Sequence, residues 1–193
     1  MELLDLRLRE FLDEIAGEGR TPGGGSVAAL VTAMAAGLLA KVARRSVDTW
    51  PDAAGIAAQA ESLQARAAPL AQADAEQYEA ALLARGQSGE GQGARQDFAL
   101  GQAYAKAAEP PLQIARAAGD VAQLALTVAQ SGDAALWADA VTAALLAAAA
   151  AKAAAELVAV NLTASAGDRR VLEAAKVAEE AARAAEAARA VRE

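Results

Sequence analysis

The chain has 193 residues, 55% of them apolar, and a formal net charge of −7 at pH 7, with neither histidine nor cysteine. The missing cysteine excludes disulfides and thiolate metal sites, and the missing histidine removes the commonest metal ligand and the usual acid–base group near neutral pH. The acidic balance argues against a nucleic-acid surface, which is normally basic, so no nucleic-acid partner is expected.

Aromatic residues make up only 3%, and alanine supplies much of the apolar content. Alanine is the best helix former and a poor strand former, so this bias predicts an all-α fold of closely packed helices. A methyl side chain buries little area. Stability must therefore come from many close helix–helix contacts or from an oligomeric interface. Residues 27–40 are uncharged but too short for a bilayer, which needs about 20 residues. Residues 134–164 are long enough but carry Asp139, Lys152 and Glu156. Both runs read as buried helices, and the opening MELLDLRLRE, charged from its second residue, reads as no secretory leader. The expectation is a cytoplasmic chain with no membrane partner.

In chain order, residues 2–18 place Leu4, Leu8, Phe11 and Ile15 on one helical stripe. Gly17 and Gly19 end it, and Arg20-Thr21-Pro22-Gly23-Gly24-Gly25-Ser26 follows as a rigid turn and a glycine loop. Ser26 is placed as the N-cap of a second helix reaching about Ser46. Trp50-Pro51-Asp52 opens a third, which runs to about Arg85 with a kink at Pro69. Residues 86–93, GQSGEGQG, read as the one flexible loop. The fourth helix begins near Ala94, is broken or bent at Pro110-Pro111 and stops around Ser131-Gly132. The fifth covers about residues 136–164, and Gly167 ends it. Residues 168–193 form a charged C-terminal helix docked through Val171, Ala175 and Ala178. This predicts one domain over residues 1–193, an antiparallel bundle of five to six long helices.

The glycine turn is the strongest local signal. Three glycines let backbone approach a ligand closely, and a following helix presents free N–H groups suited to a carboxylate or phosphate. The alternative is a tight turn between packed helices. No Gly-Lys-Ser/Thr follows, so it is not a P-loop. Lys41, Arg44 and Arg45 share a face near the end of the second helix, either as cations favoured by the helix dipole or as a basic wall for an anion. Asp74 and Tyr78 lie four apart on an alanine-rich face. A buried aspartate is costly unless partnered and often marks a site, although a structural cap is the simpler role. Asp139 opens the most apolar helix, as cap or as functional carboxylate. Asn161 needs its amide satisfied, by an interhelical bond or by a ligand.

These residues resemble the formiminotetrahydrofolate cyclodeaminase / methenyltetrahydrofolate cyclohydrolase family. Thr21-Pro22-Gly23-Gly24-Gly25-Ser26-Val27-Ala28-Ala29-Leu30 is similar to its Pro-Gly-Gly-Gly-Ser signature opening an alanine-rich helix. Asp74 with Tyr78, Arg95 before the helix holding Pro110-Pro111-Leu112, Gly132, Asp139-Ala140 and Val160-Asn161-Leu162 follow in the family's order. The resemblance spans roughly residues 5–168. Gly132-Asp133 stands where the family has Gly-Asn, Ala138-Asp139-Ala140-Val141 replaces Ser-Asp-Ala-Gly, a Pro-Lys pair is missing near residues 86–93, and Lys41 replaces an apolar residue.

The resemblance implies an enzyme acting on one-carbon units carried by tetrahydrofolate, with no metal and no cofactor beyond the folate substrate. One reaction closes formiminotetrahydrofolate to the methenyl form and expels ammonia. The other adds water to the methenyl cation and opens it to the formyl compound. Both need a base for the attacking group and an acid for the leaving nitrogen. Asp139 is the expected base or support for the cationic carbon, with Asp74 or Lys41 as its proton partner. The amides of Gly23, Gly24, Gly25 and Ser26 beside Pro22, together with Arg20, are expected to hold a glutamate carboxylate, and Tyr78 and Asn161 to touch the substrate. A small alanine-rich bundle has little internal room for folate, so a groove between the subunits of a homodimer is the expected site. The departures from the pattern favour a second reading, a non-catalytic helical homodimer that binds folate or another anion, and the charged C-terminal helix alone would suit a plain scaffold.

Overall fold

The computed structural model describes residues 2–86, 94–162 and 167–191. A short 3-10 turn, Leu3–Asp5, precedes α1 (Leu8–Ala16), α2 (Gly24–Arg45), α3 (Ala53–Ala67), α4 (Leu70–Gly86), α5 (Ala94–Ala107) and α6 (Glu109–Ser131). A second 3-10 turn, Ala134–Leu136, leads into α7 (Trp137–Asn161), and α8 is Arg169–Ala190. Among the described residues there is no strand, and the all-α expectation holds.

Prolines set two of the boundaries. Pro69 has no N–H for a continuing helix, so the expected third helix divides into α3 and α4 rather than merely bending. Pro110 and Pro111 sit in the first turn of α6, where no amide is needed, so of the break or bend expected there the break is found, between α5 and α6. The stretch read as one N-terminal helix becomes the 3-10 turn and α1, of which only Phe11 is buried. Gly167 adopts φ +88°, a region open to glycine, just before Asp168. Asp168 caps α8 by accepting the Arg170 N–H at 2.9 Å. Most of the loop expected at residues 86–93, and the end of the fifth helix beyond Leu162, lie outside the described residues.

The core is a seam of methyl groups studded with a few branched side chains. Leu39 and Val42 of α2, Leu112, Ile114, Val121 and Val128 of α6, and Val158 of α7 are its largest fully buried residues. Successive helices α6, α7 and α8 alternate in direction, leaving α6 and α8 parallel. Arg116 pairs with Glu173 at 2.6 Å, and three residues on, Gly119 meets Val177. The C-terminal helix is docked more deeply than its composition suggests. Its inward stripe is Ala174, Ala181, Ala184, Ala185 and Ala188, while Ala175 is exposed and Val171 and Ala178 are half-buried. Alanine gives no contrast between inside and outside, so the stripe is invisible to periodicity.

α2 and α7 lie side by side and antiparallel. At one end Lys41 Nζ donates to Asp139 Oδ2 at 2.9 Å. At the other, Gly24 faces the methyl groups of Leu157. This register decides which of the candidate residues meet.

Candidate functional site

The glycine turn starts α2 earlier than expected. Gly23, not Ser26, is its N-cap, and Ser26 lies inside the helix, fully buried. The Ser26 hydroxyl donates to the Ala71 carbonyl at 2.8 Å, which ties the first turn of α2 to the first turn of α4. Close by, the backbone N–H of Ser26 donates to the Asp74 carboxylate. A methyl group placed on Gly25 would lie 2.1 Å from Asp74 Oδ1. Glycine at 25 is therefore what admits an aspartate from α4 against the start of α2. A carboxylate at a helix N-terminus is favoured by the helix dipole. Burial opposes that favour and dominates: the Asp74 carboxyl rises from 3.8 to about 6, with the Ser26 hydrogen bond pulling back.

One turn further along α4, Tyr78 opens onto a broad cleft of about 710 Å³ lined by Arg20, Tyr78, Leu82, Arg85 and Gly86. Arg20 comes from the segment just before the glycine turn, and Arg85 from the last turn of α4. Two guanidinium groups on one cleft of an acidic chain make it locally attractive to carboxylates. Arg85 was not among the residues singled out from sequence, because a cation in a last helical turn needs no further explanation.

The structure thus gathers Arg20, Pro22, Gly23, Gly24, Gly25, Ser26, Asp74 and Tyr78 at one end of the bundle. Asn161 lies at the same end, half-buried, its amide donating to the Ala107 carbonyl at 3.0 Å and joining α7 to α5. Lys41 and Asp139 do not join them. Their ion pair sits at the far end of α2, about 24 Å along the helix from Gly25. The pair is partly exposed, with side-chain accessibilities of 57% and 35%. Within one chain, Asp74 and Asp139 cannot act on the same atom.

The fold and this site define a helical bundle with an arginine-flanked cleft that lies one helical turn from a half-buried aspartate. Residues 7–183 match the family model described as formiminotransferase-cyclodeaminase, and the chain belongs to that family. The crystal structure of formiminotetrahydrofolate cyclodeaminase from Thermotoga maritima is similar over 98% of this chain and 96% of that one, with a TM-score of 0.81 and 28% identity. No curated protein sequence matches the chain significantly.

Proposed function

We propose that this protein, one domain over residues 1–193, is a folate one-carbon enzyme of the cytoplasm. It would be a formiminotetrahydrofolate cyclodeaminase or a methenyltetrahydrofolate cyclohydrolase. The observation that carries the reading is Asp74, a carboxyl held at about 6 beside the cleft. A group that titrates near working pH can both take and return a proton. In the hydrolytic direction it takes a proton from the water that attacks the methenyl carbon, and returns it to the ring nitrogen as the carbon–nitrogen bond breaks. In the cyclising direction it takes the proton of the second folate nitrogen as that nitrogen attacks the formimino carbon, and delivers one to the departing ammonia.

Arg20 and Arg85 are proposed to hold the carboxylates of the glutamate tail, and the Tyr78 ring to flank the ligand. This replaces the helix amides as the anion site, because the Ser26 amide already serves Asp74. The chemistry is proposed to need no metal or further cofactor. Lys41 and Asp139 enter the proposal as a pair facing substrate bound between subunits, in the homodimer expected of alanine-rich helices. That distance of about 24 Å also favours the second reading, a helical homodimer that binds folate or another anion without turnover.

Mixing the purified protein with methenyltetrahydrofolate and following the loss of its absorbance tests the hydrolase. Supplying formiminotetrahydrofolate and following methenyl absorbance with ammonia release tests the cyclodeaminase. Binding without either change would establish the non-catalytic reading.

A further inference from the structure

The prolines that separate α5 from α6 leave a gap in the backbone ladder. Before the gap, the Ala108 N–H donates to the Tyr104 carbonyl at 3.0 Å, and after it the Leu112 N–H donates to the Ala108 carbonyl at 3.2 Å. Between them, Pro110 and Pro111 have no N–H to offer. The carbonyls four residues back, at Lys106 and Ala107, therefore lose their helical donors. Ala107 is buried, where an unpaired carbonyl is costly. Side chains from the end of α7 and the start of α8 reach this gap. The Asn161 amide donates to the Ala107 carbonyl at 3.0 Å. Arg170 donates to the Ala105 carbonyl at 3.0 Å and to Glu109 at 2.6 Å, and two contacts with Asp168, at 2.8 and 3.1 Å, hold its guanidinium in that position.

We infer that Asn161 is a positioning residue, whose amide stands in for the N–H that Pro111 lacks and so fixes α5 behind the wall of the candidate site. α5 packs along α4, the helix that carries Asp74, Tyr78 and Arg85. Leu157, one turn before Asn161 on the same face of α7, meets Gly24. The clamp thus lies beside the glycine turn as well, and a shift of α5 reaches Asp74 through α4. On this account the Asn161 amide serves a neighbouring helix, not the ligand. The inference rests on the folate reading above only for its effect on turnover.

A double-mutant cycle tests it. Asn161→Ala should lower the melting temperature by about 2–12 °C, the loss expected for an orphaned buried carbonyl. It should also speed amide exchange across α5 and the first turn of α4. Methenyltetrahydrofolate turnover should fall about tenfold with little change in KM, because the site is displaced and no substrate contact is lost. Pro111→Ala restores a backbone donor four residues after Ala107. In that background Asn161→Ala should lose less than half as much in every measurement. If Asn161→Ala alone fails to fold, recovery of folded protein in the double variant is the same rescue. Equal losses in both backgrounds, or a double variant that also fails to fold, would overturn the inference. A raised KM with an unchanged melt, the mark of a substrate contact, would overturn it too, as would a lowered melt with wild-type exchange and turnover. An inactive wild type would refute the enzyme and leave melts and exchange to decide the clamp; an active enzyme without rescue would do the reverse.

Discussion

Replacing Asp74 with asparagine should stabilise the protein and disable it. The folded chain holds the Asp74 carboxyl at about 6 rather than 3.8. A folded-state value above the unfolded one means that the protonated form suits the fold. Its contribution is intact below about pH 4 and is lost as pH rises through about 6. Above both values the ionised group costs the fold about 3 kcal/mol. Asparagine keeps the size, keeps an oxygen for the Ser26 N–H, and carries no charge at any pH. Asp74→Asn should therefore melt higher than wild type at pH 7.5 by about 6–12 °C, using the usual scaling for a chain of this length. The difference should shrink as pH falls from 6 toward 4, where the wild-type carboxyl is neutral as well. Methenyltetrahydrofolate turnover should drop by about a hundredfold or more if Asp74 is the proton carrier. Thermal melts of both proteins at pH 4.5 and 7.5, beside the absorbance assay at pH 7.5, check all of this. A variant that melts no higher at pH 7.5, or a gap that ignores pH, would refute the burial argument. A stabilised variant with full turnover would refute the catalytic one.

Gly25→Ala should destabilise by about 1–3 kcal/mol, as overpacking does, because its methyl group must displace the Asp74 carboxylate; chemical denaturation measures this. Asp139→Asn should alter stability by less than about 1 kcal/mol, since it breaks a partly exposed ion pair. Its turnover should fall about a hundredfold if the carboxylate supports a cationic carbon, and equal rates with equal melts would leave it without that role. Arg85→Gln and Arg20→Gln should each raise the KM for folate substrates about tenfold or more with little change in melting temperature, the loss expected for a charge-assisted contact.

The helices were legible because alanine, leucine and the prolines speak locally. Each expected helix is present, and Pro69 was given a kink where the helix breaks. The site was legible in its parts but not in its logic. Pro22 to Ser26 reads as a cradle for a ligand because nothing near it in sequence explains three glycines. The explanation at Gly25 is an aspartate 49 positions later, and no periodicity reports a contact of that range. Lys41 was expected only as one of two alternative partners for Asp139, through the family resemblance, and the antiparallel register of α2 and α7 shows that these two hold each other while Asp74 does not reach them. Arg85 escaped notice because its helical position already accounted for its charge.

The alanine seam inverts the usual mutational vulnerability of a protein interior. Most core positions, Ala29, Ala36, Ala118, Ala147 and Ala151 among them, are fully enclosed and already carry the smallest side chain that a helix favours. Truncation, the commonest way to hollow out a core, has almost nothing to remove there. Growth has nowhere to go, because adjacent backbones approach too closely to take even two extra carbons. Drift in this lineage should thus run through serine and glycine at such positions, and valine or leucine should appear only in compensated pairs across neighbouring helices.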